Sequence, residues 1–286
     1  MIPLQLLGSS PLTIEIELAP ALDIGVFGGA AVAAYTIDTV RYVAQMTETP
    51  PELDAQLRMV QQQSGGAIML SGIDYTNFQG TIQAGATGQQ NINVPARRRS
   101  IKSILWTGAS KTFVAGGGVA QEVLYNQSFG GNMNMTEYSV RVGSIQYPSE
   151  PVQCEYGLAA GPAGVRSEHL TELEKAFGSL GSTVGLGSLT GFNFATGDSD
   201  VANMTGVIAA GNADASYKFC PFAIDMESFQ RVSAGHDGVN TADRSTPITL
   251  QLTVGAAAGE AVAIDAYVCY DALYYIDATG SIRVSF

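Results

Sequence analysis

Ile248-Thr249-Leu250-Gln251-Leu252-Thr253-Val254 decides the fold class: every even position is apolar and every odd one is polar. A period of two belongs to a strand with one buried face. The pattern returns in Leu12-Thr13-Ile14-Glu15-Ile16-Glu17-Leu18. It returns again in Tyr138, Val140 and Val142 around Ser139 and Arg141, and in Ile282, Val284 and Phe286 around Arg283 and Ser285. Further strands are expected over 35–46, 67–71, 90–95, 99–106, 217–224 and 264–276. Such a chain is all-β and mostly antiparallel, with sheets that each hide one face.

Two segments depart from that rhythm. Residues 49–63, TPPELDAQLRMVQQQ, place Thr49 three residues before Glu52, the spacing of a capping box, with Pro50 at the first helical position. Leu53, Leu57 and Val60 would line one face, and Gly65-Gly66 would end the helix. Residues 166–180, RSEHLTELEKAFGSL, form the second helix, with Ser167 as N-cap, Leu170, Leu173, Phe177 and Leu180 as its stripe, and His169 expected on the solvent side. Neither helix has the length or rhythm of a βαβ crossover, so a doubly wound fold is excluded.

Each helix follows a strand region, which suggests two β units. Tyr147-Pro148-Ser149-Glu150-Pro151 is the boundary, because proline interrupts strand pairing. The expected domains are therefore 1–146 and 147–286. The longest irregular stretch, 181–216, is rich in Gly, Ser, Asn and Ala, and loops of that length usually make contacts.

The 286 residues are 46% hydrophobic, enough for a sizeable core. Acidic residues outnumber basic ones 26 to 14, and the net charge of −12 opposes general affinity for nucleic acid or an anionic membrane. Cys154, Cys220 and Cys269 form no CxxC and are expected as buried free thiols; His169 and His236 are too few for a histidine metal site. The apolar run Ile24–Ala34 is too short to span a bilayer, and MIPLQLLGSSPL lacks the basic flank of a secretory leader.

Catalytic constellations are poor. His236-Asp237 beside Ser233 or Ser245 has no G-x-S-x-G elbow, and neighbours in sequence seldom form a triad. Glu15 and Glu17 share the outer face of their strand; Asp198, Asp200, Asp214 and Asp225 are too loosely spaced for a calcium loop. Gly116-Gly117-Gly118 and Gly185-Leu186-Gly187 lack the lysine of a phosphate loop. The sequons at Asn126, Asn134 and Asn203 are read as chance. One basic cluster stands out, Arg97, Arg98, Arg99 and Lys102: a solvated strand start, an intersubunit salt-bridge donor, or a contact to nucleic acid or a membrane.

An ordered series of segments resembles double jelly-roll viral major capsid proteins, the group of polinton-like viruses, virophages and small tailless bacteriophages. The series runs PLTIEIELAPALDI (11–24), YTIDTVRYVAQM (35–46) and its helix, NVPARRRSIKSILW (93–106), YPSEP (147–151) and HLTELEKAFGSL (169–180). KFCPFAIDMESF (218–229), HDGVNTADRSTPITLQLTV (236–254) and IDAYVCYDALYYIDATGSIRVSF (264–286) complete it. The resemblance implies two tandem jelly-roll β-sandwiches, 1–146 being minimal or truncated, and a homotrimer whose six jelly rolls form a pseudo-hexagonal capsomer of an icosahedral virion. It implies a structural protein assembled inside the host cell, with no catalytic residues, cofactor, metal or small-molecule substrate. Its partners would be itself and penton or minor capsid proteins, with nucleic acid or an internal membrane met through the basic cluster alone. Loops 108–133 and 181–216 would make outer-surface or intersubunit contacts. The alternatives are a carbohydrate-binding β-sandwich, against which Trp106 reads as core, and a hydrolase on a β-sandwich, which needs a polar pocket.

Overall fold

The computed structural model describes residues 13–18, 26–27, 30–31, 36–46, 48, 50–110, 135–154, 168–177, 221–227, 237–243, 247–254 and 261–286. Nine strands and two helices carry the architecture: α1 (Pro51–Gln63), β1 (Ala67–Ile82), β2 (Gly88–Val94), β3 (Ile101–Ser110), β4 (Met135–Val142), β5 (Ile145–Gln153), α2 (Glu168–Ala176), β6 (Phe222–Asp225), β7 (Ile248–Val254), β8 (Val262–Asp277) and β9 (Ile282–Ser285). A two-residue ladder joins Val26–Phe27 to Ala30–Ala31 near the start.

Every pairing is antiparallel. One sheet runs β1-β8-β3-β6, with β9 on the far end of β8; the other runs β2-β7-β4-β5. Strands one to eight therefore interleave as 1-8-3-6 against 2-7-4-5, the double Greek-key winding of a jelly roll. Apart from the β4–β5 and β8–β9 hairpins, strands that are neighbours in space are distant in sequence.

This order corrects the expected domain division. Both sheets take strands from either side of 146/147: β8 lies between β1 and β3, and β7 between β2 and β4. Residues 1–146 and 147–286 interleave, and the jelly roll that is described, Ala67–Asp277, runs through the boundary. The prolines do interrupt pairing locally. Val140 faces Tyr147 and Tyr138 faces Val152, so 148–151 bulge out of the ladder before the strand resumes.

The core lies between the sheets. In β7 the even positions are buried and the odd ones half-buried, as the alternation requires. Tyr138, Val140 and Val142 meet them from β4, facing Ile104, Trp106, Phe222, Ile264 and Val268 of the other sheet. Gly80 of β1 has no side chain because the Ile92 side chain from β2 fills that space.

Several expectations fail for a common reason. Residues 13–18 and 36–46 belong to no strand and are exposed; 13–18 alternate as a strand does, but an amphipathic strand needs a sheet edge as well as a pattern. β9 forms, but Ile282, Val284 and Phe286 stay about half exposed at a sheet margin. The N-cap of α1 is Pro50 with no side-chain cap, and Pro51 is the first helical residue; Thr49 of the expected capping box lies outside the described residues. Leu53 and Val60 are exposed; α1 is instead fastened by Gln61, whose amide donates to the carbonyls of Ile276 and Asp277 at 3.3 and 2.7 Å. Its end is as expected: Ser64 and Gly66 N–H groups bond the carbonyls of Val60 and Gln61, with Gly65 and Gly66 at positive φ.

α2 turns a different face inward. His169, Glu172 and Leu173 are buried while Phe177 is exposed, which corrects the solvent placement of His169. The imidazole lies 6.3 Å from the Phe222 ring, and Glu172 pairs with Lys175 at 2.6 Å. Cys154 and Cys269 are buried free thiols. Cys220, His236, the glycine runs at 116–118 and 185–187, Asp198, Asp200 and Asp214, the three sequon asparagines and loop 181–216 lie outside the described residues; of the expected loop 108–133, residues 108–110 end β3 and 111–133 lie outside the described residues. No helix among the described residues is long and apolar enough to cross a membrane.

Candidate functional site: the basic segment and its ion network

The four basic residues at 97–102 separate into three environments. Arg97 and Arg99 point into solvent. Arg98 is half-buried, its guanidinium stacked 4.4 Å from the centroid of Tyr270 and 4.2 Å from that of Phe286. Its Nη2 also donates to Thr76 Oγ1 at 3.2 Å; Thr76 in turn bonds the Tyr270 hydroxyl, which donates to Asp74 at 2.8 Å. A guanidinium held between two rings contributes packing as much as charge.

Lys102, the first-but-one residue of β3, points into a cluster of carboxylates. Its ammonium pairs with Glu227, which follows β6, with Asp237 at 3.5 Å and with Asp271 of β8 at 3.9 Å. Burial works against the ammonium, but the Glu227 hydrogen bond and the charges of Asp271, Glu227 and Asp237 outweigh it and hold Lys102 above the ordinary lysine range. Asp237 is nearly buried, and both its oxygens lack a hydrogen-bond partner among the described residues, so Lys102 is its compensation. Lys102 is thus engaged within its own chain, apart from the exposed Arg97 and Arg99.

The same place is a crossing of chain segments. Ile101 and Val239 exchange two backbone hydrogen bonds, each 2.9 Å. Thr241 donates its N–H to Arg98 O at 2.8 Å, and its buried hydroxyl reaches Ala96 O at 3.1 Å. Ser100 donates to Asp271 at 2.6 Å and accepts the Gly238 N–H at 3.1 Å. Gly238 is required because the Ile101 carbonyl occupies the space a Cβ would need. Residues 237–241 of the HDGVNT stretch thus act as a clasp across the start of β3.

No assembly of a nucleophile with a base is formed by these groups. Asp237 is committed to Lys102, and Asp225 accepts the Glu227 N–H at 3.0 Å as a turn closure. Burial pushes the Cys269 thiol up, and hydrogen bonds with Tyr75 and Ser103 only partly offset it. Burial, reinforced by Glu137 and Glu168, pushes the Cys154 thiol up far more. Sequence reading found the arginines and lysine but missed their anionic partners, since 227, 237 and 271 are more than a hundred residues away and carry no motif. Among the described residues no group of His, Cys, Asp and Glu is arranged to hold a metal.

No protein-family model matches the chain, and no curated protein does. Among solved structures the chain is similar to VP54 of PBCV-1, fitted into a reconstruction of the virophage Sputnik, with 10% identity and a TM-score of 0.45 over 92% of this chain and 60% of that one. It is similar to the mavirus major capsid protein at 11% identity and a TM-score of 0.38, covering 77% of this chain and 42% of that one. For the Faustovirus major capsid protein the identity is 5% and the TM-score 0.41, over 76% and 35% of the two chains. The chain spans no more than about three-fifths of these proteins. Its own strand order, 1-8-3-6 against 2-7-4-5, makes the described residues a jelly roll.

Proposed function

We propose that this protein is a viral major capsid protein, a structural subunit whose work is self-assembly into an icosahedral virion. The observation that carries the reading is the complete jelly roll over Ala67–Asp277, an architecture used by viral capsids and by lectins. The order of sequence segments that resembles double jelly-roll capsid proteins supports the first of these. Trp106, the single tryptophan, is packed in the core and offers no platform for a sugar.

The finer reading is a homotrimer giving a pseudo-hexagonal capsomer that meets its neighbours and penton or minor capsid proteins. One observation favours a second stoichiometry: each chain has one jelly roll within 67–277, so six sandwiches drawn from these alone take six chains. Arg97 and Arg99, the exposed members of the basic segment, are its contact to genome or membrane, while Arg98 and Lys102 serve the fold.

Light scattering of the purified protein, with negative-stain images of the same fraction, tests the reading. With a chain of 29.9 kDa, a trimer of about 90 kDa or a hexamer of about 180 kDa with a hexagonal outline is expected, and the mass separates the two stoichiometries. A monomer that never assembles at high concentration or salt overturns it. Glycan binding lost on replacing the exposed Tyr75 and Tyr267 of neighbouring strands would establish the carbohydrate-binding alternative instead.

A further inference from the structure

β1 is a sheet edge. All sixteen of its residues pair with β8, from Ala67 opposite Asp277 to Ile82 opposite Val262, and among the described residues no strand lies on its other side. A long edge leaves a row of backbone donors and acceptors open to another strand. Part of this one is closed from within, since the Tyr75 N–H bonds the side chain of its neighbour Asp74 at 2.8 Å. In the stretch Ala67–Ile73, AIMLSGI, the Ser64 hydroxyl donates to the Ala67 carbonyl at 2.6 Å at its very start, and the stretch carries no charge. On one face Ile68 and Leu70 are only half-buried against Ile276, a small apolar cluster that stops at the edge.

The chain also has a strand with no sheet. Residues 13–18, TIEIEL, alternate strictly, yet Ile14, Ile16 and Leu18 are 53, 63 and 53% exposed, and the segment joins no ladder. Residues 36–46 are also exposed but do not keep the alternation, because Tyr42 and Val43 are adjacent.

We propose that residues 13–18 of one copy add as a strand to the Ala67–Ile73 edge of a second copy. Ile14, Ile16 and Leu18 then extend the Ile68–Leu70–Ile276 cluster, and Glu15 and Glu17 stay in solvent beside Ser71, where no acidic residue opposes them. Backbone hydrogen bonds supply the attraction and the period of two sets which face turns inward. Each copy owns one segment and one edge, so exchange closes either a two-fold pair or a ring. The inference stands on the edge and the segment and does not depend on the capsid reading.

A photo-crosslinker in place of Ser71 tests it in the full chain. The unlabelled Ser71→p-benzoylphenylalanine protein is dissociated and reassembled with nitrogen-15-labelled wild type, illuminated and mapped by mass spectrometry. Cross-links from position 71 into 13–18 that join light to heavy peptides are expected. They should vanish in the Ile14→Asp/Ile16→Asp protein, whose near-UV circular dichroism stays native because both residues are exposed. Cross-links confined to one isotope, reporting each chain's own segment, overturn the proposal. So does the absence of cross-links to 13–18, or their survival in the double variant.

Discussion

Trp106 of β3 and Tyr138 of β4 meet edge to face across the two sheets, ring centroids 4.8 Å apart and planes at 84°. Phe222 completes the group, stacked 5.9 Å from Trp106 and edge to face with Tyr138 at 5.7 Å, and the tyrosine hydroxyl donates to the Ala223 carbonyl at 3.2 Å. The sandwich is thus closed at its centre by three aromatic rings from three strands. Trp106→Ala should cost about 3–5 kcal/mol through the cavity it leaves. Tyr138→Phe should cost about 1 kcal/mol, the hydrogen bond alone. Urea unfolding followed by circular dichroism distinguishes the two, and equal losses would contradict the assignment.

Gly238→Ala sets a methyl group against the Ile101 carbonyl and Ser100 Oγ. Backbone cannot swing aside as a flexible side chain does, so the clasp at 237–241 must shift and its bonds to Ile101 and Arg98 lengthen. A loss of about 1–3 kcal/mol is expected, read as a lower urea midpoint. Hydrogen exchange at the Ile101 and Val239 amides should speed up in the same variant.

Lys102→Met leaves Glu227, Asp237 and Asp271 facing one another with no cation between them. The group is only partly buried, so breaking it from one side costs less near neutral pH than the about 3–5 kcal/mol of a fully buried pair. The folded state raises the lysine's pKa, so the unfolded chain loses its proton first as pH climbs. The stabilisation is therefore complete below the ordinary value of about 10.4 and fades as pH passes through the higher folded value. Melting temperatures of wild type and variant should converge above that ordinary value; a gap independent of pH there would show that the charge is not what matters.

Cys154 and Cys269 should not react with a disulfide reagent at pH 8 in the native protein. Burial keeps both as thiols, and only the thiolate attacks. A Cys220→Ser background isolates them, and denaturant should release two equivalents. Rapid modification of either in the folded state would show that the sheets open there.

Side-chain pattern alone is enough to read a layered β protein and the inward-facing residues of most strands. Ile248–Val254 is buried on alternate positions because a pleated strand allows nothing else, whoever its partners are. It also marked Trp106 as core, and the glycine pair at 65–66 as the end of a helix. Which strand pairs with which was settled in the folded chain. Strand pairing uses backbone groups that every residue shares, so β8 between β1 and β3 cannot be read from side chains. That choice joined the two halves into one winding across 146/147 and left 13–18 without a place in its own sheet. It also drew Lys102 from a basic run into an ion network, and buried His169 where helical spacing set it outward. A charge's environment is made by residues far along the chain, and folding alone brings them within reach.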